Sequence, residues 1–147
     1  MKNIDVKIKL LEGGKMPEYG TDGAACADCY VNLAADEINI PPMSSALIGL
    51  GFALEIPEGY EVVIEPRSSF AYKHKGLVIH GEIDSDYRGQ LMANTFNLNP
   101  TVPLNIKNGD RICQIKILPV LHMKFEEVDE LSETKRGEGG FGSTGRN

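Results

Sequence analysis

The chain has 147 residues, 41% of them apolar, no tryptophan, and a formal net charge of −6. That length buries one good core, is short for two ordinary domains, and carries the composition of a globular rather than a disordered or fibrous protein. The acidic balance excludes a nucleic-acid polymer as partner, because such affinity rests on many Lys and Arg neutralising successive phosphates. It leaves room for a small anion met by a local cluster of donors, and Arg67, Arg88, Arg111 and Arg136 each sit beside Gly, Ser or Asp.

From the N-terminus, Val6, Ile8 and Leu10 alternate with charged residues. This period predicts a strand and lacks the continuous apolar region of a signal peptide. No later window approaches the roughly 20 apolar residues of a membrane span. The expectation is a cytoplasmic protein, or a nuclear or host-cytosolic one if the chain is viral, neither secreted nor membrane-bound. Cys26, Cys29 and Cys113 are an odd set, which argues against a disulfide framework. The Cys26-x-x-Cys29 spacing invites a redox or zinc reading, but residues three apart on a strand point to opposite faces, and His74, His80 and His122 are scattered. Asp28 shares its face with Cys26 and Tyr30.

Further strands are predicted at EINI (Ile38, Ile40), in the apolar runs SALIGLGFALEI and GYEVVIEP, and at RICQIKIL, where Ile112 is followed by Ile115 and Ile117 after a one-step slip. Turns fall at Pro41-Pro42, at 56 to 59, at 99 to 103, and at Asn108-Gly109, a dipeptide that favours hairpins. The one helix predicted is short, residues 68 to 75, with Ser68 or Ser69 as N-cap. Many short strands at close spacing imply an all-β sandwich, jelly roll or barrel.

Four stretches carry chemistry. At Pro66-Arg67-Ser68, a strand running into a helix start aims N–H groups, a hydroxyl and a guanidinium at one spot, as phosphate sites do; an ordinary cap beside an exposed arginine has the same pattern. In GEIDSDYRG, residues 81 to 89, straight alternation would crowd Glu82, Asp84 and Asp86 on one face. A hairpin bend at Ser85-Asp86 relieves this, leaving Asp84 at a strand tip, able to take a proton from water, and Tyr87 returning on a second strand; the alternative is a plain polar tip. In NGDRICQ, alternation sends Asp110, Ile112 and Gln114 to one face and Arg111 and Cys113 to the other, so that Gln114 could donate to a ligand while Arg111 braces another segment; a polar edge strand fits equally. The tail RGEGGFGSTG is not a Walker A loop, but its glycines can approach phosphate closely, with Arg136, Ser143 and Thr144 as donors and Phe141 free to stack on a base; a disordered tail has the same composition.

Taken in order, these segments resemble the five motifs of the trimeric deoxyuridine triphosphatases (dUTPases). The pattern AAGxDLYA is similar to Ala24 through Val31, PRSG to Pro66 through Ser69, GVIDxDYRGE to Gly81 through Gln90, and GDRIAQ to Gly109 through Gln114, while RGxGGFGSTG is met throughout from Arg136 to Gly145. The resemblance implies a distorted jelly-roll β-barrel over residues 1–134 and a mobile glycine-rich arm, 135–147, that closes over a neighbouring subunit's site in a homotrimer. It implies Mg²⁺-dependent hydrolysis of dUTP to dUMP, the precursor for thymidylate synthesis, and pyrophosphate. Asp84 would be the general base, Tyr87 would pack under the sugar, and Gly81 and Ile83 would read the base through their backbone. Arg67, Ser68, Ser69 and Gln114 would hold phosphates, and Asp28 would bind water on the magnesium. From the arm, Phe141 would stack on uracil while Arg136, Gly142, Ser143 and Thr144 grip the terminal phosphate. The departures are Cys26, Cys29 and Ser69, together with His80 and Glu82 around Gly81. Glu82 keeps open a related enzyme, a dCTP deaminase, which needs a glutamate facing the base. A nucleotide-gated interaction protein, whose tail orders on nucleotide, is a third reading.

Overall fold

The structure, a computed structural model, describes residues 3–140; Phe141, Gly142, Ser143 and Thr144 lie outside the described residues. Twelve strands and one helix follow in order: β1 (Lys7–Leu10), β2 (Glu18–Tyr19), β3 (Ala27–Cys29), β4 (Glu37–Ile40), β5 (Ser45–Gly49), β6 (Phe52–Glu55), β7 (Tyr60–Pro66), α1 (Ser68–His74), β8 (Gly76–Val78), β9 (Gly81–Ile83), β10 (Met92–Asn97), β11 (Leu104–Lys107) and β12 (Cys113–Pro119). They form four antiparallel sheets, ordered β1-β6, β5-β10-β8, β11-β4 and β2-β3-β12-β7-β9. The all-β expectation holds, and the arrangement is that of a distorted jelly roll. Among the described residues no helix is long and apolar enough to cross a membrane.

One core joins these sheets. Ile48, Leu50, Phe52, Ile106 and Cys113 are fully buried in it, and the apolar run from 45 to 56 supplies several of its members: β6 is covered on both faces from Phe52 to Leu54, whereas β5 turns Ile48 inward and leaves Leu47 exposed. Strand β10 carries a period of two that apolarity alone does not reveal, since two of its inward residues, Thr95 and Asn97, are polar. Asn97 is fully satisfied. Its Nδ2 donates to the carbonyls of Ile40 (3.0 Å), Pro41 (3.2 Å) and Val102 (2.9 Å), and its Oδ1 accepts from Asn99 N (2.9 Å). A buried amide so paired ties β10 to the end of β4 instead of costing stability.

Two local expectations are corrected. The N-cap of α1 is Arg67, with extended φ −92° and ψ 130°, and no side chain caps the helix. Arg67 O accepts from Phe70 N and Ala71 N, which places Ser68 inside the first turn. The turn at Asn108-Gly109 forms, with Gly109 at φ +86° and Asp110 N donating to Lys107 O (3.0 Å), but it joins no hairpin. Strand β11 pairs with β4, whereas β12 pairs with β3 and β7, so this turn carries the chain from one sheet to another.

Candidate active site

The first group of site residues forms where β3, β12 and β7 lie side by side. Gln114 is the ladder partner of both Asp28 and Glu65, so these three stand in one row across the outward face of the five-stranded sheet. At the end of that row the Asp28 carboxylate receives two guanidinium groups, Arg67 Nε on Oδ1 (2.9 Å) and Arg111 Nη1 on Oδ2 (3.1 Å). Arg67 Nη1 also donates to Arg111 O (2.9 Å), and Gln114 Nε2 donates to Pro66 O (3.1 Å). The Asp28 side chain is 15% exposed, which leaves its charges less screened than a surface pair. Arg111 therefore braces Asp28, as alternation suggested, though not for the reason given. Ile112 and Cys113 are both buried, so the period breaks there, and Asp110 turns back so that its Oδ2 accepts from Lys107 N (2.8 Å).

Beside this row, Glu65 accepts from Lys116 Nζ (2.8 Å) and lies 3.4 Å from His80 Nδ1. The ammonium of Lys116 holds the Glu65 carboxyl below its ordinary value, and Glu65 in turn raises Lys116. Glu82 sits opposite Val63 with its carboxylate 3.9 Å from His80 Nε2, on the face of the sheet rather than along its edge. The thiols are inert neighbours. A hydrogen bond to Cys113 and burial push Cys29 up, and desolvation raises Cys26.

The second group lies at the other end of β7. Strand β9 pairs with β7 through Val62↔Ile83 and Ile64↔Gly81, then turns at Ser85-Asp86, where Tyr87 N donates to Asp84 O (3.1 Å). The predicted bend exists, but the hairpin does not: Tyr87 lies in a loop, and the next strand, β10, joins the sheet of β5 and β8. The loop holds its own shape. Arg88 Nη1 donates to Ser85 O (2.6 Å) and Tyr87 O (3.0 Å), and Tyr87 Oη donates to Gln90 O (3.1 Å). The Tyr87 ring lies against Gly89, where a Cβ would run into its hydroxyl and ring. Asp84 opens on a cleft of about 890 Å³ that Glu58, Glu61, Asp86, Arg88 and His122 also line.

These groups are far apart in one chain. Ladder register puts Asp84 level with Glu61, and at about 3.3 Å per residue the run along β7 from Glu61 to Arg67 spans roughly 20 Å. Ser69 lines a separate cavity with Arg67, and Ser68 precedes it in the first turn of α1. Arg136 lies near the end of the described chain, its Nε donating to Gly139 O (2.7 Å). Among the described residues no cluster of three or more His, Cys, Asp or Glu forms a metal cage. Asp28 spends two acceptor positions on arginines and keeps others, which suits a contact through water with an ion carried by a ligand's phosphates.

A family model described as dUTPase matches residues 12–145. The chain is 44% identical over 144 residues to the deoxyuridine 5'-triphosphate nucleotidohydrolase of Treponema denticola, covering 97% of this chain and 99% of that one. It is 46% identical over 147 residues to the protein of the same name from Desulfotalea psychrophila, covering 95% and 97%. Among solved structures, the dUTPase of Staphylococcus bacteriophage 80alpha with dUPNHPP superposes with a TM-score of 0.87 at 27% identity, covering 97% of this chain and 99% of that one.

Proposed function

The chain belongs to the dUTPase family, and from that premise we infer that it hydrolyses dUTP to dUMP and pyrophosphate. The carrying observation is the match from residue 12 to 145, which includes every stretch that the sequence singled out for chemistry.

The reading gives each residue a role that its position supports. Asp84, at the open end of β9, takes a proton from the water that attacks the α-phosphorus as pyrophosphate leaves, a contribution of about 10² to 10⁴ in rate. Tyr87, pinned by Gln90 O and closed in by Gly89, presents a fixed ring to the sugar and leaves no room for a 2′-hydroxyl. Gly81 and Ile83 lie on an edge strand whose outer backbone groups can pair with a base. At Gly81 an added Cβ would meet only Ile64, in ordinary contact, so the chain's own packing does not demand a glycine there; close approach of a ligand would. Arg67, Ser68, Ser69 and Gln114 hold phosphates, with Arg67 oriented by Asp28. Mg²⁺ would arrive with the triphosphate and offset its charge, held by Asp28 through water. Residues 1–134 form the domain and 135–147 the arm, from which Arg136, Phe141, Gly142, Ser143 and Thr144 complete the site. Glu82 faces His80, which does not favour the deaminase reading.

A water and the donors on the phosphoryl group it attacks must stand within a few ångströms of each other. The roughly 20 Å between Asp84 and Arg67 therefore supports a site shared between chains, in the homotrimer implied by the family. The exposed run of Leu121 (92%), Met123 (76%), Phe125 (83%) and Leu131 (87%) supports the same assembly, because so much apolar surface calls for a covering chain. The test is pyrophosphate release with Mg²⁺ from dUTP, run beside dCTP, dTTP and UTP. Release from dUTP alone is expected; silence on dUTP, or ammonia from dCTP, overturns the reading. Light scattering should give three chains, and a monomer would remove the shared site.

A further inference from the structure

His80 and Glu82 flank Gly81 and have no part in the substrate-binding roles above. The strand beside them is lightly held. It is three residues long, lies at the edge of its sheet, and pairs only with β7, through Val62↔Ile83, Val63↔Glu82 and Ile64↔Gly81. So short a ladder opens readily, and Gly81 has no side chain to anchor its end. A base read through backbone groups needs those groups held to within about 0.5 Å.

Ladder register supplies an anchor. Ile64 opposite Gly81 places Glu65 level with His80, so the row of Asp28, Gln114 and Glu65 runs on to His80 at the sheet edge. His80 Nδ1 lies 3.4 Å from Glu65 Oε2, and His80 Nε2 lies 3.9 Å from Glu82 Oε1. Each ring nitrogen faces a carboxylate, so the imidazole has an acceptor whichever nitrogen carries the proton. Glu65 is itself fixed from the far side of β7, where Lys116 Nζ on β12 donates to its other oxygen at 2.8 Å. Exposed ion pairs contribute little, in part because two long side chains must be ordered to make them. Here Glu65 is half-buried and already ordered by Lys116, so only the ring gives up freedom. The 3.4 Å separation is long for a hydrogen bond, which keeps the expected effect modest. The result is a line of contacts from β12 across β7 to the residue just before β9.

We propose that His80 is a positioning residue for base recognition: anchored on Glu65, it holds the start of β9 so that the outer backbone groups of Gly81 and Ile83 stand where uracil is read. This rests on the reading of that edge as the base-binding surface.

The experiment uses the full chain with His80→Ala, His80→Gln, Glu65→Ala and the double variant of His80→Ala with Glu65→Ala. His80→Ala should raise KM for dUTP about fivefold, with kcat and melting temperature nearly unchanged, since one modest contact is lost and no reacting group is touched. The ratio of kcat/KM for dUTP to that for dCTP should fall by a similar factor, which a general loss of folded protein does not produce. His80→Gln, which keeps a donor on the same strand end, should restore both to within twofold. Glu65→Ala should reproduce the effect, and the double variant should be no worse than either single one, because the two residues act as a unit. Hydrogen exchange, which needs no turnover, should show the amides of β9 exchanging faster in His80→Ala. KM and base ratio within twofold of the unchanged protein, additive losses in the double variant, no rescue by His80→Gln, or unchanged exchange in β9 each overturn the proposal. A fall in kcat and melting temperature alongside the rise in KM makes His80 merely structural and overturns it as well. Failure of the unchanged protein to hydrolyse dUTP is a separate result that strikes the function, and exchange in β9 then decides whether His80 holds the strand.

Discussion

The corner around Asp28 and the turn around Asp84 offer carboxylates in opposite settings. Asp28 is clasped by two guanidinia brought from separate segments, one after β7 and one before β12, and is largely covered. Asp84 stands at the lip of a wide cleft, in a loop whose bonds run between near neighbours, from Ser85 to Gln90. A carboxylate held between two arginines is placed to orient those cations. A carboxylate free of such partners can accept a proton from water. In the proposed reading the same functional group positions cations in one region and takes a proton in the other, according to what the fold places beside it.

The sharpest way to break this contrast is Asp84→Asn. It should lower kcat by about 10² to 10⁴ while leaving thermal stability and the affinity for a non-hydrolysable dUTP analogue within a small factor. A loss below tenfold would deny Asp84 the role of base. Gly89→Ala should act next most strongly, because the new methyl runs into Tyr87. Denaturant titration should show a loss of about 1–3 kcal/mol, and the ratio of UTP to dUTP hydrolysis should rise as the ring leaves its place. An unchanged ratio would mean that Tyr87 does not police the sugar.

At the other region, Asp28→Asn removes one charge from a partly covered cluster and should cost about 1–2 kcal/mol of stability. It should raise KM for dUTP more than it lowers kcat, since Arg67 loses its orientation. A kcat loss as large as that of Asp84→Asn would erase the distinction drawn above. The smallest effect is in pH. The Glu65 carboxyl is held below its ordinary 4.5 by Lys116, so the pair's stabilisation is present above that value and lost as pH falls through the lowered one. Lys116 is raised above its ordinary 10.5, so its share is present below that value and lost as pH rises through the raised one. Melting temperatures across both flanks should change less steeply in Lys116→Met than in the unchanged protein.

Much of this was legible in the chain. Alternation identified β1, β4 and most of β12, the apolar runs at 45 to 56 and 59 to 66 identified β5, β6 and β7, and the helix was placed to within a residue. Strand β10 was missed because Thr95 and Asn97 are polar residues satisfied inside the core, which an apolar pattern does not register. The two hairpins expected at Ser85-Asp86 and Asn108-Gly109 failed for a shared reason. A turn signal reports that the backbone reverses, but the strand it leads to is chosen by pairing with distant segments.

The same division holds for the site. By itself the amino-acid order determined which residue types were available, their motifs and spacing, and the placing of Asp28 with Cys26 and Tyr30 on one strand face, because these are local properties of a backbone with a period of two. Only the tertiary structure decided that Asp28 meets Arg67 and Arg111, that Glu65 meets Lys116 and His80, and that Asp84 stands roughly 20 Å from the corner around Arg67. Those facts depend on ladder register between strands remote in sequence. Periodicity tells each residue which face it takes and is silent about its neighbour.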